Sequence, residues 1–447
     1  MYGLPQSVDI TSENLSRWII KKHSVIHLIA AMPILSLRRC LFWRERFCMS
    51  FRIFYAAGPG DIISAHHSWK EDEDDPTQMS LSYSGQFEEL CREMGATAYL
   101  ISSNQTRKFL RDGRFTLEHR PRPNLGRGAM YHLSQIIYGL SLLASAVRFR
   151  ANLAVISSGT THYFVLSLFR LFGIPIITVL HNTLWPKGYP PTRLVPRMIA
   201  GLDGLFFRWI CSASIGISQE CLKQVATLSG SSSLSLYLMY PQFRRECFEN
   251  ISAAPPLGHR PFNIVFAGRA EHDKGIFDLL EIARRIEERQ PGRFHWDICG
   301  SGDDLSKLIS RHGEMNLQSV VSIHGWTSPM TLREIHGKSH LSIVPTRSNF
   351  TEGMAKAAIE AVLAGRPVLT SPVTPALDVL RPASIEARTD DIESYIKAIL
   401  ALIDNEPHYL NLIRACSSLQ AQFYNRENGF CAVLKLTLSE IRGVYIN

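Results

Sequence analysis

The residues best suited to chemistry stand in one segment, residues 351–369, with the sequence TEGMAKAAIEAVLAGRPVL. The pattern predicts a helix that begins at Glu352 and is capped by Gly365. On such a helix Glu352 and Glu360 would be separated by roughly 12 Å along the axis and about 80° around it, so both could line one cleft. That separation is comparable to the reach from a sugar to a ribose across a diphosphate. The segment alone is equally compatible with a solvent-exposed helix face on which Lys356 forms ion pairs with Glu352 and Glu360.

A second candidate group follows a predicted strand at residues 262–267. Gly268 and Arg269 come directly after this strand, and Lys274 and Gly275 precede a predicted helix. Two cations at the amino end of a helix favour an anion such as a diphosphate. A tight turn with two solvated basic side chains explains the same residues, and this segment alone leaves both interpretations open.

Other glycine turns and one histidine also follow predicted strands. Gly300 opens the turn GSGD, but a lone GxG pattern is weak evidence because any compact strand-to-helix turn uses it. Gly58 and Gly60 follow the first predicted strand, and His181 ends another buried strand. A lone histidine in such a place is more often structural than functional.

The elements that would position these residues are two series of buried strands, with amphipathic helices between them. The predicted strands lie at residues 51–57, 98–102, 154–158, 175–181 and 215–218, and then at 262–267, 295–299, 320–324, 340–345 and 367–371. Continuous apolar runs are typical of parallel strands covered on both faces. We therefore predict an α/β protein of two doubly wound parallel-sheet domains, joined near residues 253–261, with ligands at the carboxyl ends of the strands.

Composition and charge narrow the class of protein. The chain has 447 residues, 45% hydrophobic and 20% charged, which indicates a globular protein rather than a disordered one. Nine scattered cysteines without a CxxC pair indicate neither a disulfide framework nor a zinc knuckle, and they favour a reducing compartment. The net charge of +8 comes from the first 250 residues. A basic stretch at residues 104–127 fits either an anionic surface or a solvated loop.

The predicted boundaries divide the chain into three parts. Residues 1–48 are interpreted as a leader absent from the native protein or as a disordered extension, with Met49 as the native start. The apolar run at residues 25–37 is shorter than the roughly 20 residues of a membrane span. A first domain is predicted at residues 49–255 and a second at 260–424, and a helix at about 425–447 can pack back on the first domain.

Three segments, GRAEHDKG, CGSGDD and EGMAKAAIEAVLAGRPVL, occur in this order, each after a predicted strand. With them the chain resembles the retaining glycosyltransferases of family 4 (glycosyl transferases group 1), over roughly residues 260–400. The resemblance implies the GT-B fold, in which two Rossmann-like domains face a cleft. The first domain would then be the acceptor side, and the second would bind a nucleotide sugar.

The resemblance also implies roles for the candidate residues. Arg269 and Lys274 would hold the donor diphosphate, Glu352 would contact the transferred sugar, and Glu360 would bind the ribose hydroxyls. The full implied set adds Gly268, Gly300, Gly353, Met354 and Ala355 on the donor side, His181 near the reacting sugar, and a cleft glycine loop at Gly58 and Gly60.

At one place the chain departs from the family pattern. The family commonly has glycine, phenylalanine and glycine after the first glutamate, whereas this chain has Gly353, Met354 and Ala355. A methyl group thus replaces a hydrogen where the backbone would approach the phosphate.

The implied activity is an EC 2.4-type hexosyl or related transfer, from a nucleoside-diphosphate sugar to a hydroxyl acceptor, with retention. The acceptor would be a saccharide or lipid-linked saccharide in bacterial-type exopolysaccharide, lipopolysaccharide or other glycoconjugate synthesis. Two alternatives stay open: a nucleotide-sugar epimerase, and a non-catalytic nucleotide-sugar-binding protein of the same fold.

Expectations about partners follow from the same residues. No cofactor and no metal are expected, because arginine, lysine and a helix amino end can neutralise a diphosphate. The acidic run at residues 71–75 follows no strand and is interpreted as solvated. No nucleic-acid-binding motif is present, so no nucleic acid partner is expected. The expected location is the cytoplasm, either free or docked on the anionic inner face of the cytoplasmic membrane through residues 104–127.

Overall fold

Two separate β-sheets carry the described part of the chain. The computed structural model describes residues 51–73, 75, 77–230 and 233–445. The predicted leader or extension at residues 1–48 lies outside these described residues.

The first sheet has eight strands in the order β3-β4-β2-β1-β5-β6-β7-β8. All neighbouring strands are parallel except β3, which runs antiparallel to β4. The strands are β1 (Arg52–Ala56), β2 (Thr97–Ser102), β3 (Lys108–Asp112), β4 (Phe115–His119), β5 (Leu153–Ser157), β6 (Ile176–Leu180), β7 (Ala213–Gly216) and β8 (Ser235–Leu238).

The second sheet has six strands, all parallel, in the order β11-β10-β9-β12-β13-β14. They are β9 (Phe262–Ala267), β10 (Phe294–Cys299), β11 (Val321–Gly325), β12 (Leu341–Val344), β13 (Val368–Thr370) and β14 (Ser384–Glu386). The structure thus has two predominantly parallel β-sheets with connecting helices, which confirms the predicted α/β fold class.

Helices connect the strands and cover both sheets. Those of the first half are α1 (Ile62–Glu71), α2 (Tyr83–Glu93), α3 (Ala129–Phe149), a 3-10 helix at Tyr163–Phe172, α4 (Leu194–Trp209) and α5 (Gln219–Ser229). Those of the second half are α6 (Ile276–Arg289), α7 (Leu305–Glu314), α8 (Pro329–Lys338), α9 (Lys356–Leu363), α10 (Ala376–Leu380), α11 (Ile392–Ile403), α12 (Glu406–Leu419), α13 (Ala421–Tyr424) and α14 (Phe430–Tyr445). Side-chain caps begin several of them, including Ser218, which accepts a hydrogen bond from the Cys221 amide and caps α5.

All ten predicted strands are present, and four further strands were not expected. The basic stretch at residues 104–127 contains the hairpin of β3 and β4 rather than a solvated loop. One of its arginines is paired, because Arg120 donates two hydrogen bonds of 2.7 Å to Glu118. The strands β8 and β14 are short and only half-buried, so they lack the continuous apolar run of a central strand.

The last helix, α14, packs against α2 beside the first sheet. The Phe430 amide donates to Gln86 Oε1 at 2.9 Å, and Lys435 Nζ lies 2.6 Å from Glu93 Oε2. The chain therefore passes from the second sheet back to the first before it ends.

The arginine of the AGRPV segment is a structural residue. Arg366 is 1% exposed, and its guanidinium donates to backbone carbonyls of Ser252, Gly337, Ser339 and Ala364. It thereby ties the connection between the two sheets to the end of α8 and to the turn after α9.

Candidate functional site

A cavity of about 760 Å³ lies between the carboxyl ends of the two sheets. Its first wall comes from the loop after β1, from α2 and from the end of β6. Its second wall comes from the loops after β9 and β12 and from the start of α9. The predicted residues that line it are Gly58, Gly60, His181, Gly268, Arg269, Lys274, Glu352, Met354 and Ala355.

The glycine loop after β1 has a defined backbone. Gly58 has φ of +76°, in the left-handed region that glycine adopts most readily. Its carbonyl accepts the Ser103 amide at 2.7 Å, which fixes the loop to the end of β2. Asp61 then caps α1 by accepting the Ser64 amide at 2.8 Å. The loop therefore presents backbone, rather than a bulky side chain, to the cavity.

His181 lies where β6 ends and faces the cavity. The Ser158 hydroxyl accepts its backbone amide at 3.0 Å, and its ring packs on Tyr83 with 4.2 Å between centroids. Burial, reinforced by the nearby charge of Lys356, lowers the pKa of His181 to about 3. The imidazole is therefore neutral near pH 7, and its Nδ1 is buried without a protein partner.

On the opposite wall, Lys274 and Glu352 form a close ion pair. Lys274 Nζ lies 2.5 Å from Glu352 Oε2, and both side chains are largely buried. The ring of Phe350 lies under the lysine, with Nζ 4.0 Å from its centroid. These three residues come from the 3-10 turn before α6 and from the loop between β12 and α9, so two segments 78 positions apart meet here.

Arg269 lies beside this pair but is more exposed. Its guanidinium carbon is 5.4 Å from the Phe350 centroid, and one of its nitrogens lies 2.7 Å from Glu271 Oε1. More than half of the Arg269 side chain is accessible to solvent. Of these two cations, Lys274 is enclosed in the site and Arg269 lies at its rim.

The glycines after β10 hold the turn after β9 in place. A Cβ on Gly300 would lie 1.7 Å from the Gly268 carbonyl oxygen, and one on Gly302 would lie 2.6 Å from that of Ala270. Ala270 in turn donates its amide to Ser301 at 3.0 Å. Gly300 does not line the cavity. Gly300 lies behind the cavity wall, where its lack of a side chain allows the turn after β10 to contact the turn after β9.

The prediction that a helix begins at Glu352 is wrong. The helix α9 begins at Lys356, and residues 351–355 form a loop in which Ala355 has an extended conformation, with φ of −67° and ψ of 96°. The reason is a contact between the two walls: a Cβ on Gly353 would lie 1.9 Å from the carbonyl oxygen of His181. This contact holds residues 352 and 353 outside the helix. Glu352 and Glu360 are therefore not on one helix, and the axial separation predicted for their backbones does not apply.

No side chain caps the amino end of α9, which lies at the cavity. The residues Met354, Ala355, Lys356 and Ala357 all line it, and no cap hydrogen bond reaches the first turn of the helix. The first amides of a helix point outward and attract anions. This end of α9 and Lys274 line the same cavity, and both favour an anion there.

Lys356 reaches across the cavity instead of completing a ladder with the glutamates. Its Nζ donates to Gln78 Oε1 at 3.1 Å and to Ser80 Oγ at 2.8 Å. Burial lowers the pKa of Lys356, and burial raises the pKa of Glu360. In the described residues no ion pair within 4.0 Å joins Lys356 to either glutamate, and neither Glu360 nor Gly353 lines the cavity.

Sequence reasoning missed several residues of the cavity. Tyr83, Phe350 and Thr346 line it, and the hydroxyl oxygens of Tyr83 and Thr346 are buried without a protein partner. The available sequence signal for these residues was their position, since Tyr83 begins a helix and Thr346 and Phe350 follow a strand. From the acidic run, Asp75 lines the cavity while Asp72 pairs with Arg244. Among the described residues no cluster of histidine, cysteine, aspartate or glutamate has the arrangement of a metal site.

Comparison with known proteins gives one family match. Residues 248–417 match the family model described as glycosyl transferases group 1. No curated protein sequence matches the chain significantly.

Solved structures resemble the chain over most of its length. HepE from Anabaena, solved with UDP, has 13% identity and a TM-score of 0.61, covering 87% of this chain and 100% of that one. Sucrose-phosphate synthase from Thermosynechococcus elongatus has 13% identity and a TM-score of 0.66, covering 88% and 100%. A UDP-forming trehalose-phosphate synthase from Burkholderia xenovorans has 12% identity and a TM-score of 0.65, covering 89% and 99%.

At these identities the structural neighbours establish the fold. Their likeness extends over both sheets, whereas the family match is confined to the carboxyl-terminal part of the chain. The chain therefore has a GT-B-type fold, within which residues 248–417 match the model of glycosyl transferases group 1.

Proposed function

We propose that this protein transfers a glycosyl unit from a nucleoside-diphosphate sugar to a hydroxyl acceptor, with retention at the anomeric carbon. One observation carries the proposal: the enclosed Lys274–Glu352 pair lies beside the uncapped amino end of α9, inside the cavity between the two sheets. The group 1 family match and the UDP complexes of HepE support a nucleotide-sugar donor.

In this proposal the second wall binds the leaving group. Lys274, the amides at the start of α9 and the rim cation Arg269 would meet the diphosphate and stabilise the charge that develops when the sugar leaves. These groups supply positive charge without a metal, so the proposed reaction uses none. Because Lys274 already contacts Glu352, a bound diphosphate would share the lysine with that carboxylate.

The remaining residues would hold the sugar. Glu352 would accept hydrogen bonds from sugar hydroxyls, as the family resemblance implies. The same resemblance assigns the ribose to Glu360, which does not line the cavity, so this role rests on the resemblance alone. His181 lies on the opposite wall in its neutral form, so we assign it a hydrogen bond to the transferred sugar rather than the role of a cation. The glycine loop at Gly58 and Gly60 would let the acceptor approach the backbone. No side chain is assigned as a covalent nucleophile.

The contact between the walls would limit the access of water to the reacting centre. Gly353 packs on the His181 carbonyl, and Lys356 bridges to Gln78 and Ser80. A cavity closed in this way limits hydrolysis of the donor. The acceptor would be a saccharide or lipid-linked saccharide of a glycoconjugate pathway, with the protein on the cytoplasmic side.

A panel of UDP-, GDP- and ADP-sugars tests this proposal. Each donor is mixed with the protein, with and without a saccharide acceptor, and thermal shift, nucleotide release and the anomeric configuration of the product are measured. We expect one nucleotide class to raise the melting temperature and to be released in an acceptor-dependent way, also in the presence of EDTA. Release of nucleotide with an altered free sugar would indicate an epimerase, and binding without turnover would indicate a binding protein.

A further inference from the structure

Helix α4 has an apolar stripe on its solvent side. Val195, Met198, Leu202, Leu205 and Trp209 recur at helical spacing, and all five are exposed, with Trp209 63% accessible. The opposite side of the same helix, which includes Phe206 and Phe207, is buried in the core. The helix is thus apolar on both sides, and the part of the chain that the structure describes covers only one of them.

The neighbouring helix α3 repeats this pattern. Met130, Leu133, Ile137 and Leu140 are exposed at spacings of three and four, while Tyr138, Leu142 and Ala146 on the other side are buried. By length and composition α3 could cross a membrane. Its buried side packs on the first sheet, so it belongs to the folded domain and offers one face to solvent.

The 3-10 helix lies between α3 and α4 and contacts both. Its residues Leu171 and Phe172 are exposed, Leu171 to 78%, and Arg170 donates to the carbonyl of Trp209 at 3.1 Å. Exposed apolar side chains thus lie on three neighbouring helices, and we call them together the apolar face. Soluble proteins rarely expose apolar patches of this extent without a partner.

The chain segment that forms the apolar face carries mostly positive charge. Residues 127–212 contain eight basic residues and one acidic residue, Asp203. Asp203 is buried and accepts the Phe164 amide at 2.8 Å, so it does not reach the surface. Arg193, Arg197 and Arg208 are exposed along α4. An apolar stripe with three exposed arginines beside it matches the interface of an anionic bilayer.

We propose that the apolar face docks on the surface of a bilayer that contains anionic phospholipids, with the apolar side chains inserted between headgroups. A second copy of this chain would bring two surfaces of equal positive charge together, which opposes self-association through this face. Residues 1–50 carry seven basic and three acidic residues, so as an occupant they would meet the same repulsion. The docking surface thus differs from the basic stretch at residues 104–127.

The apolar face adjoins the proposed reaction site. A groove of about 610 Å³ at the amino end of α4 is lined by Tyr189, Arg193 and Pro196 from the first half of the chain and by Asn349 from the second. Asn349 directly precedes Phe350, which lines the cavity. Docking through the apolar face would therefore bring the mouth of the cavity close to the membrane.

Flotation of the full chain with vesicles tests the proposal. We expect binding to vesicles of phosphatidylglycerol and little binding to vesicles of phosphatidylcholine, with the difference reduced at high salt. The double variant Met198→Glu/Leu205→Glu should lose binding at least tenfold, because it places two charges on the apolar stripe. Arg197→Ala should weaken binding to phosphatidylglycerol about fivefold.

The matched control is Ile309→Glu/Met330→Glu, which changes two equally exposed apolar residues on α7 and α8. It should float as the unmodified protein does, and circular dichroism should show that both double variants are folded. Equal flotation of the Met198→Glu/Leu205→Glu variant, or flotation independent of lipid charge, would overturn the proposal. The proposal would also be overturned if sedimentation velocity without lipid showed a dimer of the unmodified protein and a monomer of the Met198→Glu/Leu205→Glu variant. Vesicle binding needs no donor, so its failure would leave the proposed transfer reaction untouched.

Discussion

Burial determines the charge state of several histidines in this protein. Burial lowers the pKa of His181 and of His336 to about 3, and that of His340 to about 4. Both ring nitrogens of His336 are buried without a protein partner. A histidine that stays neutral when folded but takes up a proton when unfolded makes the folded state less stable as the pH falls below about 6.5.

The substitution His336→Leu should reduce the acid sensitivity of the protein. Between pH 7 and pH 5 the unfolded chain gains a proton at His336 while the folded chain does not, which costs about 2 kcal/mol of unfolding free energy. Between pH 7 and pH 5 the free energy of unfolding of the variant should fall by about 2 kcal/mol less than that of the unmodified protein. Urea unfolding at both pH values measures this difference. The matched variant His408→Leu changes an exposed ring and should keep the original pH dependence. An unchanged pH dependence in His336→Leu would show that this histidine is protonated in the folded state.

At the scale of elements, the loop between β12 and α9 determines the shape of the site. The sequence placed Glu352 on a helix because TEGMAKAAIEAVL has helical spacing and no strong breaker apart from Gly353. Local propensity could not reveal that Gly353 must pack on the carbonyl of His181, a residue far away in the chain. That tertiary contact delays the helix to Lys356 and turns Glu352 toward Lys274.

The substitution Gly353→Ala should separate the two walls of the cavity. Its Cβ would meet the His181 carbonyl oxygen at 1.9 Å, and backbone on both sides would have to shift. Overpacking of this kind typically costs about 1–3 kcal/mol, so we expect a lower melting temperature and a large loss of nucleotide binding.

Gly337→Ala provides the comparison, because that glycine lies in α8 with no atom within 4 Å of the added Cβ. The melting temperature of this variant should equal that of the unmodified protein or exceed it slightly, since alanine favours the helix more than glycine does. Equal melting temperatures for the Gly353→Ala variant and the unmodified protein would argue against a fixed contact between the walls.

At the scale of the whole molecule, the order of strands and glycine turns predicted the fold well. Buried parallel strands have a strong apolar signal, so all ten predicted strands are present, and Lys274, Glu352 and His181 line one cavity. Edge strands such as β3 and β14 are exposed and lack that signal. Partners from distant segments, such as Phe350 under Lys274 and Gln78 beside Lys356, depend on how the two sheets face each other. A single sequence gives no direct information on that geometry.

The central claim is that Lys274, at the amino end of α9, holds the diphosphate of the donor. Calorimetric titration of the nucleoside diphosphate selected by the donor panel tests it most directly, in the unmodified protein and in two lysine variants. Lys307→Ala removes a lysine that is also paired with a carboxylate, 2.7 Å from Asp304, but on the exposed surface of α7. We predict that this control binds as the unmodified protein does and that Lys274→Ala binds at least about tenfold more weakly, as loss of a charged hydrogen bond would cause. Equal affinity in Lys274→Ala and Lys307→Ala would contradict the account.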